Sequence, residues 1–150
     1  MKKMGLTLSL AESCTGGLIA HRITNIPGSS NYFLGGVVAY SNEAKEKILG
    51  VPNEILVRYG AVSEETARAM AEGTRRLLAS DIALAVTGIA GPTGGTPEKP
   101  AGLVYIALAA EEEVRCGRYI WHGDRLQNKA KSAEAALEML IAYLKTLGTE

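Results

Sequence analysis

The sequence predicts an α/β protein in which helices layer on both faces of a mixed sheet of about five strands, ending in a C-terminal hairpin. Three observations predict it. Strand-like and helix-like runs alternate along the 150 residues without a repeat, low-complexity tract or linker, so a single domain is expected over 1–150. The run Ile82-Ala83-Leu84-Ala85-Val86 is almost continuously apolar, as in a strand covered on both faces. Two late strand-like runs, 102–109 and 114–121, are joined only across Ala110-Glu111-Glu112-Glu113; this reads as a hairpin and makes the sheet mixed rather than wholly parallel.

Each element has its own signal. Leu6-Thr7-Leu8-Ser9-Leu10 alternates apolar and polar residues and predicts the first strand, which breaks at 13–17. A helix follows from Thr15 or Gly16 to about Thr24, stopped by the turn-forming Pro27-Gly28-Ser29-Ser30. Residues 32–40 suit a second strand, with Gly35 and Gly36 marking a bulge or a close backbone approach. Ser41 or Asn42 caps a short helix that ends at Gly50 and Pro52, and a second short helix occupies 53–59. Ser63 caps a longer one over 64–78, whose apolar side is Ala67, Met70, Ala71, Thr74, Leu77 and Leu78. After the third strand comes a glycine-rich loop, 88–97. The last helix follows Gly123-Asp124-Arg125, with Ala130, Ala133, Leu137, Leu140, Ile141 and Leu144 at helical spacing.

Composition narrows the function classes. Sixteen basic and 16 acidic residues cancel, so the surplus of cations that displaces counterions from nucleic acid is missing. The apolar runs are strand-length and interrupted, which excludes a membrane-spanning helix, and residues 6–11 are too short for a signal sequence. Two cysteines, Cys14 and Cys116, make neither a disulfide framework nor a zinc spacing. A reduced, cytoplasmic protein is expected.

Three segments share a design in which a strand ends in small or hydroxylated residues and opens into a loop or helix. They are 13–17, 40–42 and 87–91, and ligands gather where the strands of α/β sheets end. A serine at the mouth of a helix has backbone N–H groups beside it that stabilise an oxyanion, and Gly16 and Gly17 let a substrate approach the backbone. Ser13 is therefore a candidate nucleophile, with Cys14 as its rival or as a small buried apolar residue. For a base, His21 lies two turns along the helix, while His122 remains a candidate. Lys45 is another, since burial lets a lysine act as a neutral amine, although beside Glu43 and Glu46 a solvated surface lysine is the ordinary expectation. No phosphate-loop, dinucleotide or zinc-protease signature is present.

Seven motifs occur in order: Ala-Glu-Ser-Cys-Thr-Gly-Gly at 11–17, Pro-Gly-Ser-Ser at 27–30, Tyr-Ser-Asn-Glu-Ala-Lys at 40–45, Gly-Ala-Val-Ser at 60–63, Thr-Gly-Ile-Ala-Gly-Pro at 87–92, Lys-Pro-x-Gly at 99–102 and Gly-Asp-Arg at 123–125. With them the sequence resembles, over nearly its whole length, the C-terminal domain of the competence/damage-inducible protein CinA, also found as a stand-alone nicotinamide-nucleotide amidohydrolase. The resemblance implies hydrolysis of the carboxamide of nicotinamide mononucleotide to nicotinic acid mononucleotide and ammonia, in pyridine-nucleotide salvage, without metal or cofactor. It implies Ser13 as nucleophile and Lys45 as base, with Tyr40, Thr87 and Arg125 completing the site; in the division of labour expected here Tyr40 and Thr87 assist proton transfer and polar positioning and Arg125 binds or orients the anionic nucleotide. Cys14, Thr15, Gly16, Gly17 and Gly88 are the implied substrate-binding residues.

The expected partners are a small-molecule nucleotide and further copies of the chain in a homo-oligomer, with no nucleic acid and no membrane. The alternative is a non-catalytic nucleotide-binding module. Two departures stand out: relatives usually have a helix ahead of the first strand, which here starts almost at Met1, and Lys129 and Lys131 stand where relatives often carry arginines. Activities of a molybdopterin-binding-like N-terminal half are not expected of this sequence.

Overall fold

In the computed structural model, which describes residues 1–148, five strands form one sheet in the order β2-β1-β3-β4-β5. The strands are β1 (Leu8–Glu12), β2 (Phe33–Val38), β3 (Ile82–Gly88), β4 (Leu103–Ala109) and β5 (Val114–Ile120). The helices are α1 (Leu18–Thr24), α2 (Asn42–Leu49), α3 (Asn53–Tyr59), α4 (Glu64–Leu78) and α5 (Arg125–Leu147). β1 pairs in parallel with β2 and β3, and β4 and β5 continue the sheet antiparallel, so the expected mixed sheet with a C-terminal hairpin is what forms. Among the described residues no helix is long and apolar enough to cross a membrane.

Strand alternation divides the core in two. Leu8, Leu10, Leu84, Ile106 and Leu108 face α1 and α5, where they meet Ile19, Ala133, Ala136, Leu140 and Tyr143. The opposite face is paved with alanines, Ala11, Ala85, Ala107 and Ala109, and these small side chains let α4 settle close through Ala67, Met70 and Ala71. Leu49, Val51 and Leu56 complete this second core from α2, α3 and the turn between them.

Several expectations shift on contact with the fold. α1 starts at Leu18 rather than Thr15 or Gly16, because Gly16 (φ 61°) and Gly17 (φ 103°) are both left-handed and a right-handed helix begins only after them. The irregularity falls just ahead of Gly35, where Leu8 pairs with Phe33 and Ser9 with Gly35 so that Leu34 is skipped, while Gly36 marks the close approach, a Cβ there standing 3.3 Å from that of Leu10. Leu77 and Ile141, assigned to apolar helix sides by spacing, are half-exposed at 51 % each, and Ala130 is exposed too. α4 and α5 lie on a sheet face rather than within a bundle, so a narrower stripe of each is covered.

One contact sets the clearance between α2 and α4. A Cβ on Gly73 would come within 1.9 Å of the Leu49 carbonyl oxygen, the end of one helix pressed against the middle of the other. Gly73→Ala is expected to destabilise the fold by about 1–3 kcal/mol, the range for overpacking a tight contact, outweighing the gain in helix propensity. A lowered urea midpoint with an unchanged slope would show this; an unchanged or raised midpoint would refute it.

Candidate functional site

The order β2-β1-β3 creates a switch point. From β1 the chain runs through α1 to β2 on one side, then returns through α2, α3 and α4 to β3 on the other, leaving a crevice at the carboxyl ends of β1 and β3. Ser13 follows β1 directly and Thr87 lies near the end of β3. A cavity of about 320 Å³ opens there, and Ser13, Cys14, Tyr40, Lys45, Thr87 and Arg125 line it together with Gly88. A larger hollow of about 430 Å³ at the opposite sheet end, lined by Glu72, Arg75, Arg76 and the 111–113 glutamates, holds no nucleophile, so chemistry rather than volume selects the site.

Ser13 is buried, with its N–H donating to Val86 O at 3.0 Å. Its Oγ lies 3.1 Å from the Nζ of Lys45, which is only 1 % exposed. Local structure makes that reach possible. The Ala39 N–H donates to Glu12 O (2.8 Å), which holds the end of β2 beside the end of β1. Ser41 then caps α2 through the Ala44 N–H, so Lys45 sits one turn in, facing back toward β1. Its Nζ also lies 3.0 Å from each of the carbonyl oxygens of Ala39 and Tyr40. The glutamates that suggested a surface lysine are engaged elsewhere: Glu43 with Lys47 (2.6 Å) and Glu46 with Asn53 (3.2 Å). Burial holds the Lys45 amine below its ordinary value of 10.5, and no carboxylate pairs with it among the described residues.

The neighbouring groups have constrained roles. Burial pushes the Cys14 thiol up to about 12, so it stays protonated and packs as a core residue, not as the nucleophile. Thr87 donates its hydroxyl proton to Ala61 O (2.8 Å), leaving the oxygen free to accept. Gly88 has a packing reason to be glycine: a Cβ would stand 2.7 Å from Leu103 O. Arg125, the first residue of α5 after the capping box of Asp124 and Gln127, donates to Gly91 O (2.9 Å) and reaches the Tyr40 hydroxyl (3.3 Å). It thereby bridges the two sides of the mouth, where Tyr40 is 62 % exposed. His21 and His122 are both exposed and neither lines the cavity.

The helix N-terminus beside Ser13 differs from expectation. Its Ile19 and Ala20 N–H groups are taken by the two oxygens of Glu12, at 2.9 and 3.0 Å, while Gly16 N–H donates to Ser13 O and Leu18 N–H to Thr15 O. The backbone N–H groups of Cys14, Thr15 and Gly17 have no oxygen acceptor among the described residues. Thr15, Gly16 and Gly17 do not line the cavity; they form the turn behind it, where the Thr15 hydroxyl is buried without a partner among the described residues. Lys129 of α5 approaches this turn, its Nζ 3.7 Å from where a Gly16 Cβ would be, and Lys131 is exposed. Sequence reasoning passed over Glu12. Its signal was an acid in phase with Leu8 and Leu10 on the apolar side of β1, followed by a helix whose N-cap, Gly17, has no side chain.

Fold and crevice define an α/β protein with a buried serine–lysine contact at the switch point of its sheet. The chain belongs to the CinA C-terminal domain family, whose model matches residues 1–144. It is 56 % identical over 142 residues to a putative competence-damage inducible protein of Desulforudis audaxviator and 57 % identical over 146 residues to a CinA-like protein of Geotalea uraniireducens. These matches cover 95 % and 97 % of the chain but only 34 % and 35 % of those proteins, so it spans about a third of the length of its curated relatives. Among solved structures, competence/damage inducible protein CihA of Agrobacterium tumefaciens superposes with a TM-score of 0.92 at 46 % identity, covering 94 % of this chain and 87 % of that one. A CinA superfamily protein of Escherichia coli gives 0.90 at 34 % identity, covering 93 % and 81 %.

The buried amine makes a pH prediction. Between its depressed folded value and 10.5 the unfolded chain binds more protons at Lys45 than the folded one, so stability rises with pH in that window and is lost as pH falls through it. Wild type is expected to gain on Lys45→Met as pH climbs toward 10.5, by urea midpoints measured in parallel. A difference that stays flat with pH would show that the amine is not desolvated.

Proposed function

We propose that this domain is a nicotinamide-nucleotide amidohydrolase, converting nicotinamide mononucleotide to nicotinic acid mononucleotide and ammonia with Ser13 as nucleophile and Lys45 as its base. The observation that carries the reading is the environment of the Lys45 Nζ, buried with three oxygens around it. A neutral amine has two N–H donors and one lone pair. Spending the donors on Ala39 O and Tyr40 O aims the lone pair at Ser13, whereas an ammonium would have no acceptor site left.

The chemistry follows in balance. The Ser13 hydroxyl donates its proton to Lys45 Nζ as Oγ attacks the carboxamide carbon, and the carbonyl oxygen becomes an oxyanion. The N–H of Cys14, the residue immediately after the nucleophile and part of the cavity lining, has no oxygen acceptor among the described residues and is the nearest donor in sequence for it. The Lys45 ammonium then protonates the departing nitrogen, the C–N bond breaks, and ammonia leaves an ester on Ser13. Water attacks the ester with Lys45 again taking a proton, which returns to Ser13 as the acid departs. Thr87 accepts a hydrogen bond from the carboxamide N–H, and Arg125 with Tyr40 meets the anionic end of the nucleotide at the mouth. The names of the relatives concern competence and damage induction and specify no substrate; the motif resemblance and this geometry support the choice.

Ammonia release from a panel of pyridine nucleotides tests the reading. Ser13→Ala and Lys45→Ala are each expected to lose at least about 10³-fold in rate, the order seen when one member of a nucleophile–base unit is removed. Both should keep the wild-type circular dichroism, and Cys14→Ala should remain active. A fully active Lys45→Ala would remove the base. Retained nucleotide binding with no release by wild type would instead identify a binding module.

A further inference from the structure

Among the described residues Glu12 is the one buried carboxylate, and the reaction above gives it no part. It is 1 % exposed, ends β1 and immediately precedes Ser13. A buried carboxylate is costly unless its oxygens are hydrogen-bonded, and here both are, to the Ile19 and Ala20 N–H groups. The contact closes a short loop from residue 12 to residue 19, inside which lies the whole turn after the nucleophile. Its main-chain oxygen also accepts from Ala39 N–H, and the Ala39 carbonyl is in turn held by Lys45. One residue therefore ties together the turn after Ser13, the start of α1 and the strand end that orients the base.

We infer that Glu12 is a positioning residue: its carboxylate occupies the N-terminus of α1 and so holds the 13–17 turn in the conformation that leaves the N–H of Cys14, which lines the cavity beside the nucleophile, without an oxygen acceptor and available to the oxyanion. Two features of the turn support this. Its glycines at 16 and 17 are both left-handed, a backbone with little stiffness of its own. Gly17, as N-cap, offers no side chain, so without Glu12 the Ile19 and Ala20 N–H groups would seek another acceptor and draw the turn with them. The inference rests on Ser13 as the nucleophile, but not on the identity of the amide.

The test uses a probe that reads Ser13 directly. A small alkyl phosphonofluoridate forms an O–P bond with Ser13 as the P–F bond breaks and fluoride leaves, the serine proton passing to Lys45, and its phosphoryl oxygen sits where the oxyanion would. Glu12→Gln preserves shape but sets its amide N–H₂ against one of the helix N–H groups. It is expected to slow both labelling and the kcat of ammonia release by about 10- to 100-fold, somewhat less than outright deletion of one oxyanion donor. KM and the pH midpoint of labelling should stay at wild-type values, since Lys45 and the mouth are untouched. Glu12→Asp, which keeps the charge on a shorter arm, should recover part of the rate.

Unchanged labelling in a Glu12→Gln variant of lowered stability would overturn the inference, since the role would then be structural alone. A rise in KM without loss of kcat would overturn it as well. If Glu12→Gln does not fold, Glu12→Asp decides: slower labelling at unchanged pH midpoint supports positioning, and wild-type labelling refutes it. Wild type labelled at Ser13 but releasing no ammonia would sink the proposed function and leave the Glu12 comparison intact. Wild type unlabelled at Ser13 would sink both.

Discussion

Everything at this site depends on keeping an amine out of water without giving it a carboxylate. A lysine paired with an acid in the interior would remain an ammonium and be useless as a base. Lys45 is instead surrounded by oxygens that accept without carrying net charge: two main-chain carbonyls and one hydroxyl. Dipoles of this kind satisfy the N–H groups while leaving the desolvation of a positive charge largely uncompensated, which is why burial dominates the downward displacement of its protonation. The nearby acids of α2 are drawn off by Lys47 and Asn53, so the helix that delivers the amine also keeps its own carboxylates away.

The sheet order explains how such distant residues converge. Residues 13, 45, 87 and 125 come from four different segments, and only a chain that crosses β1 and returns on the other face brings the first three to one crevice. α5 then adds Arg125 from the opposite layer, placed by a cap box at its first turn. The alanine-paved face of the sheet has a part in this too. Small side chains at 11, 85 and 107 allow α4 to lie close, which sets the level at which α2 and its lysine meet the end of β1.

The fold was largely legible because hydrophobic period and turn chemistry agreed element by element; the continuous apolar run of β3 and the short connection between β4 and β5 were enough to order a mixed sheet. What escaped were features set by three-dimensional neighbours. Two adjacent left-handed glycines delayed α1, a conformation that no periodicity encodes. The surface reading of Lys45 could not be dismissed from its residues alone, since glutamates at 43 and 46 make a solvated helix the ordinary expectation; the motif resemblance, not the spacing, singled it out. Glu12 was hidden for the same reason in reverse. A glutamate at a strand end looks like a solvent residue until the helix it caps has been placed over it.

The meeting of Gly73 with the Leu49 carbonyl has a reach beyond packing. Leu49 lies one turn beyond Lys45 on the short helix α2, so the spacing between α2 and α4 acts as the fulcrum of a lever whose far arm is the amine. A displacement of a few tenths of an ångström there would pass almost undiminished to the main chain at Lys45, because a helix of two turns has no room to bend it away, and the side chain would have to absorb it to keep its three oxygen contacts. Tolerances at the mouth of the sheet are thus machined in part in the middle of a helix that contributes no side chain to the cavity.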